Sequence, residues 1–166
     1  METLIVAISV LLFSTPLLLL LGYGGWLSYN DIRTHRLPNK HVATFTLLVL
    51  GSEIAISWFT DEWDPFLAAI KTATANSSVY AALYVISRRQ IGMGDVKYSV
   101  PTGLVLGYYN AQAWLICIFV TFVLAGLIAL AGMATGRLSR TSRLAFGPYM
   151  TIATLALVVI HSVNSP

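Results

Sequence analysis

Two aspartates stand at the edges of long apolar stretches, where a charged side chain is least at home. Asp31 closes the first stretch within Asp31-Ile32-Arg33-Thr34-His35-Arg36-Leu37-Pro38-Asn39, and Asp95 ends Gly92-Met93-Gly94-Asp95-Val96-Lys97 just before another begins. An ionisable group at the edge of hydrocarbon is costly, so its presence points to function. Two carboxylates held close together cannot both ionise easily; one pKa rises and the pair shares a proton. The ionised member can then draw a proton from water while the protonated one polarises a carbonyl, which is the chemistry of peptide hydrolysis. Sequence does not separate base from acid, so Asp31 and Asp95 are treated as one unit.

No metal or other cofactor is expected. His35 and His41 lie near Asp31, but their spacing is not that of a helical ligand pair. Both are assigned to the surface or the lipid headgroups. Gly92 and Gly94 admit positive φ and close approach, which would let a substrate backbone reach Asp95. A phosphate-binding loop is excluded there, because no strand precedes the glycines and no Gly-Lys-Ser follows.

The elements that position this pair must be membrane helices. The chain has 166 residues, 57% hydrophobic and 10% charged, against about 25% charged in soluble proteins. Its apolar residues fall in blocks rather than stripes, so an integral membrane protein of one domain is expected. The single cysteine, Cys117, allows no internal disulfide and no CxxC metal site, and is read as a small filler. Nine of the ten Lys and Arg residues cluster in three segments: Arg33, Arg36 and Lys40; Arg88, Arg89 and Lys97; Arg137, Arg140 and Arg143. Glu2, Asp61, Glu62 and Asp64 occupy other connections. That asymmetry is the bias of cytoplasmic loops toward positive charge, not a nucleic-acid footprint.

Six spans follow, over residues 4–29, 42–59, 65–87, 96–109, 112–133 and 147–163. The first is too long, and lacks the leading basic residue, to be a signal peptide. Pro65 suits the first turn of its helix, Trp58 and Trp63 suit an interfacial belt, and Pro101 is a potential kink. The fourth span is short. It is required because the Arg88/Arg89 and Arg137–Arg143 loops should share a side, so an even number of crossings separates them. The fold class is therefore all-α, a polytopic membrane protein with six transmembrane helices and both termini on the non-cytoplasmic side. Asp31 and Asp95 then lie at similar depth near the cytoplasmic face. They meet if the first and fourth spans pack, for which Gly22, Gly24 and Gly25 on one and Gly103 and Gly107 on the other offer a close-approach surface. Glu53 and Lys71 are placed near outer span ends, snorkelling to the interface.

At these residues the chain resembles the type IV prepilin peptidases, in their short, peptidase-only form. Asp31, Arg33, Leu37, Pro38 and Asn39 fit the pattern D-x-R-x-x-x-I/L-P-N around that family's first catalytic aspartate. Gly92, Gly94, Asp95 and Lys97 fit the G-x-G-D-x-K pattern around its second, and Phe146-Gly147-Pro148-Tyr149 matches a third element opening the last helix. The resemblance implies one transmembrane aspartyl peptidase domain over residues 1–166, with no N-terminal methyltransferase region and no CxxC pairs. It implies a multi-pass cell-membrane enzyme with its site facing the cytoplasm. Such an enzyme cuts the basic leader from a type IV prepilin or pilin-like membrane protein, typically after glycine, without methylating the product. Asp31 and Asp95 carry the catalysis, and Gly92, Gly94, Lys97, Arg33, Pro38 and Asn39 are expected around the substrate. Lys97 and Arg33 also serve as anchors on the positive side.

Two alternatives use the same carboxylates. A presenilin-like intramembrane protease also carries Gly-x-Gly-Asp, but no Pro-Ala-Leu motif is present and Leu37-Pro38-Asn39 argues against it. A small transporter or proton channel could use Asp31 and Asp95 as a relay, but it leaves the Leu-Pro-Asn and Gly-Met-Gly sequences unexplained.

Overall fold

In hydrocarbon a backbone amide finds no water, so an apolar chain bonds to itself as helix. The computed structural model describes residues 14–87, 91–139, 142 and 144–164, and it is helical with no strand among them. Residues 14–19 lead through a π-helical turn, Leu20–Gly24, into α1, Gly25–Thr34. The others are α2 Asn39–Thr60, α3 Asp64–Ile86, α4 Met93–Asn110, α5 Trp114–Ala134 and α6 Gly147–Asn164. The expected Arg88, Arg89, Arg140 and Arg143, with Glu2 and the start of the first span, lie outside the described residues.

The helices coincide with the predicted segments to within a few residues, except that α1 runs on through Asp31 to Thr34. Among the described residues, three helical stretches are long and apolar enough to cross a membrane: Asn39–Thr60, Met93–Ala134 and Gly147–Asn164. The middle one holds 42 residues. As a single straight helix it would run about 63 Å, twice the roughly 30 Å of a hydrocarbon core. Asn110, at φ −151° and ψ 71°, breaks it, and a 3₁₀ turn over Ala111–Ala113 starts α5. Helix α4 continues through Pro101 without interruption.

One inward stripe runs through the π-turn into α1. Leu20, Gly24, Leu27, Ser28 and Asp31 are all buried, a spacing that places Asp31 on the core-facing side. Tyr23 and Trp26 close on α2: Tyr23 stacks on Phe45 at 5.7 Å, its hydroxyl meets His41 Nδ1 at 3.0 Å, and Trp26 packs edge-on against His41. His41 is thus half-buried at the α1–α2 seam, while His35 is exposed as expected.

The glycines correct the expected seam between the first and fourth spans. A Cβ on Gly103 would lie 2.8 Å from Ala73 Cα, and one on Gly107 would lie 2.7 Å from Ala69 Cα. Both therefore face α3, against which α4 packs most extensively. Asn76 Nδ2 adds a buried bond of 2.9 Å to the Ser99 carbonyl. Of the three glycines near α1, Gly24 alone meets α4, where an added Cβ would lie 3.1 Å from the Tyr98 hydroxyl, whereas Gly22 and Gly25 have open space beside them. Small residues let any pair of helices approach, so their presence did not specify which pair. Helix α6 fills the gap, packing on α1, α4 and α5.

Glu53 is a second correction. It does not snorkel; it is fully buried, and neither carboxyl oxygen has a partner among the described residues. It falls on the inward stripe of α2 with Val42, Phe45, Val49 and Ile56, so helical phase overrode depth. Lys71 is exposed, as snorkelling requires, and Trp58 and Trp63 are exposed too. Cys117 is buried beside Thr154.

Gly107→Ala should lower stability in detergent by about 1–3 kcal/mol through overpacking, read as a fall in thermal midpoint; an unchanged midpoint would show that the α3–α4 seam has slack. Glu53→Met, which removes a buried group without partners, should raise stability by roughly 1–3 kcal/mol. A lower midpoint for that variant would mean the carboxyl holds something in place.

Candidate active site

Asp31 sits in the last turn of α1, which His35 ends by adopting φ 49° and returning its amide to the Asp31 carbonyl at 2.8 Å. The turn to α2 brings Leu37 inward and leaves Pro38 extended before Asn39. Asp95 stands at the third residue of α4. Its carboxylate accepts the Gly92 amide at 3.1 Å, and the Asp95 amide in turn reaches the Gly92 carbonyl at 3.1 Å. A carboxylate in a first helical turn also faces the positive end of the helix dipole.

The donor to Asp31 comes from a distant part of the chain. Gly147 opens α6 and gives its amide to Asp31 Oδ2 at 2.9 Å, a buried contact. First-turn amides have no partner within their own helix, and Pro148 has no amide to give. A Cβ on Gly147 would stand 3.0 Å from the same oxygen, so only glycine admits this approach without a shift. Asp31 is 4% exposed and Asp95 8%. The two carboxylates lie within electrostatic reach of each other. Burial pushes the Asp31 carboxyl above the ordinary carboxylate range, while the Gly147 amide and the charge of His35 oppose that rise.

The expected substrate-side residues are spread around this pair. Gly94 packs on Leu37, where an added Cβ would sit 3.1 Å from the leucine Cβ, and Gly92 packs on Asp95 itself. Neither has positive φ: Gly92 is extended at φ −72°, and Gly136 is the one glycine with positive φ among the described residues. Close approach, not an unusual backbone, is what these two glycines provide. Lys97 donates to Asn39 Oδ1 at 3.0 Å, tying α4 to the start of α2. Arg33 lies over the Tyr29 ring at 5.0 Å, away from the carboxylates. Arg33, Arg36, Pro38, Asn39, Lys40 and Lys97 are all exposed at this end of the bundle, so it is strongly basic. Asp61, Glu62 and Asp64 are exposed in the turn from α2 to α3, at the opposite end of α2. Among the described residues no three His, Cys, Asp or Glu side chains gather as metal ligands.

Sequence reasoning identified Gly147-Pro148 as a helix start but not as the donor to Asp31. The signal was a glycine followed by a proline, which leaves one bare amide at a helix mouth. What that amide would bind is set 116 residues away in sequence.

No curated protein and no solved structure matches the chain. A family model described as the type IV leader peptidase family matches residues 17–130, which hold both aspartate signatures. With that match covering well over half its length, the chain belongs to the type IV leader peptidase family and is a peptidase.

Proposed function

We propose that the protein is an aspartic endopeptidase of the cytoplasmic membrane, and that it removes the basic leader from prepilin-like proteins at the cytoplasmic face. The observation that carries this reading is the convergence of two buried carboxylates, Asp31 and Asp95, at the basic end of a helix bundle. The six helices are assigned as six spans with both termini outside, because the basic connections then share the cytoplasmic side. A substrate whose leader is basic and whose next segment is an apolar helix would present its junction at the depth of the pair.

In this mechanism a water lies between the carboxylates. The ionised member takes its proton as the oxygen attacks the scissile carbonyl, and the protonated member donates a hydrogen bond to the carbonyl oxygen, where negative charge develops. The proton then passes to the leaving amine, and the pair returns to its starting state with one proton shared. Gly92 and Gly94 leave the Asp95 side open to a substrate backbone. Arg33, Pro38, Asn39 and Lys97 form the rim over which the leader passes. The net positive rim argues that the leader is held through its backbone and exit path rather than by ion pairing.

Incubation of the purified protein with a candidate prepilin, followed by mass mapping of the cut, tests the reading. Asp31→Asn or Asp95→Asn should each leave folding and insertion intact and lower processing by at least about 10³-fold, since the two carboxylates act as one unit. Normal cleavage by either variant would remove the aspartyl assignment, and ion flux without proteolysis would favour a relay.

The pH profile gives an independent check. A pair that works with one shared proton is idle when both carboxylates are ionised and when both are protonated, so kcat/KM should be bell-shaped, with two macroscopic pKa values that belong to the pair. A profile with a single titration would contradict the shared proton.

A further inference from the structure

The two aspartates stand on helices that barely touch, so the register between them must be held by something else. One turn deeper in the bundle, three hydroxyls meet. Ser28 precedes Asp31 by three residues, Tyr98 follows Asp95 by three, and Thr151 follows Gly147 by four. Those offsets place each hydroxyl on the same face of its helix as the site residue above it. The Thr151 hydroxyl oxygen lies 2.6 Å from the Tyr98 hydroxyl and 2.8 Å from that of Ser28. Tyr98 and Thr151 are 0% and 7% exposed, so no water competes freely for these bonds.

The protons can be followed. A carbonyl only accepts, so the hydrogen of Thr151 goes to the Gly147 carbonyl, 3.0 Å away. The Thr151 oxygen is then free to accept from both Ser28 and Tyr98, which uses its two lone pairs. The Gly24 carbonyl, 3.2 Å from the Tyr98 hydroxyl, shares the second of those hydrogens. Gly147 is thus held at its carbonyl by Thr151, while its amide holds Asp31.

We propose that Thr151 is a positioning residue of the site: its one hydroxyl clasps α1, α4 and α6 and so sets the separation of the two catalytic carboxylates. This rests on the aspartyl reading above, in which Asp31 and Asp95 act as a pair. Thr151 itself touches neither the water nor the substrate. It works through Gly147 on one side and through the Ser28 and Tyr98 helices on the other. Ser28 and Tyr98 fall within the stretch matched by the family model, whereas Thr151 lies beyond it.

The test uses the full-length protein in nanodiscs and a quenched-fluorescence peptide with a basic leader, a glycine at the cut and an apolar helix. Thr151→Val keeps the side-chain shape but deletes the hub, and Tyr98 retains the Gly24 carbonyl as an acceptor, so the bundle should persist. The expected result is a fall in kcat of roughly 10- to 100-fold with KM nearly unchanged, the scale of a misplacement of about 1 Å. Thr151→Ser, which keeps the hydroxyl, should restore the rate. Tyr98→Phe should cost less, and adding it to Thr151→Val should cost little more, because both act through one clasp. Amide exchange at Gly147, followed by NMR, supplies a readout that does not depend on cleavage. Thr151→Val should accelerate that exchange at least about tenfold, the loss of about 1.4 kcal/mol of protection, and Thr151→Ser should leave it slow.

Wild-type kcat together with slow Gly147 exchange in Thr151→Val would overturn the clasp. So would equal losses in the Val and Ser variants that track a lowered thermal midpoint, since that pattern marks packing alone. Cleavage by Asp31→Asn would bring down the aspartyl reading itself, whereas fast Gly147 exchange in Thr151→Val would still uphold the clasp as a structural fact.

Discussion

A carboxylate buried at the end of an apolar helix must be given donors, and everything at this site follows from where they come from. Both aspartates take theirs from helix N-termini: Asp95 from the start of its own helix, Asp31 from the start of α6. A hydrogen bond to a charged group contributes about 1.5–3 kcal/mol. Taking an ion out of water costs several kcal/mol even after relaxation. One amide per carboxylate therefore falls short of supporting two full charges side by side. Keeping one proton between the two carboxylates removes the shortfall, and the same shared proton is what a water-activating pair requires.

The architecture separates rigidity from convergence. Helices α3 and α4 press together over Gly103 and Gly107, with Asn76 bonded across the seam. In a membrane such close packing replaces the hydrophobic drive that a soluble core would have, so this pair forms the fixed wall. Asp95 stands at the mouth of that wall. Asp31 is delivered from the other side by α1, whose inward stripe continues from Leu20 and Gly24 through Leu27 and Ser28. Helix α6 lies between them, and its first turn is the common reference for both.

Much of the fold was legible because apolar length is a one-dimensional property. The helices α2 to α6 begin and end where hydrophobic runs meet Pro38, Asp61, Asn110 and Gly147. The aspartates stood out for the same reason, as polar residues in places where hydrocarbon makes polarity expensive. Less visible were the facts that depend on helical phase. Glu53 looked like an interfacial residue by depth, yet its position on the stripe of Val49 and Ile56 turns it inward without a partner. The glycines of α4 advertised close approach but not the neighbour, which proved to be α3 rather than α1. Arg33 and Lys97 carried charge near the site in sequence, and each satisfies it locally, on Tyr29 and Asn39.

By itself the sequence determined that this chain is a helical membrane protein with two carboxylates at the ends of apolar stretches. It could do so because burial in lipid imposes length, composition and charge rules that each segment obeys alone. Which helices touch, which face of α1 turns inward, and which amide meets Asp31 were decided only by the tertiary structure. Those choices depend on the packing of residues more than a hundred positions apart, and a bare backbone N–H at Gly147 leaves no mark of its partner in the residue types.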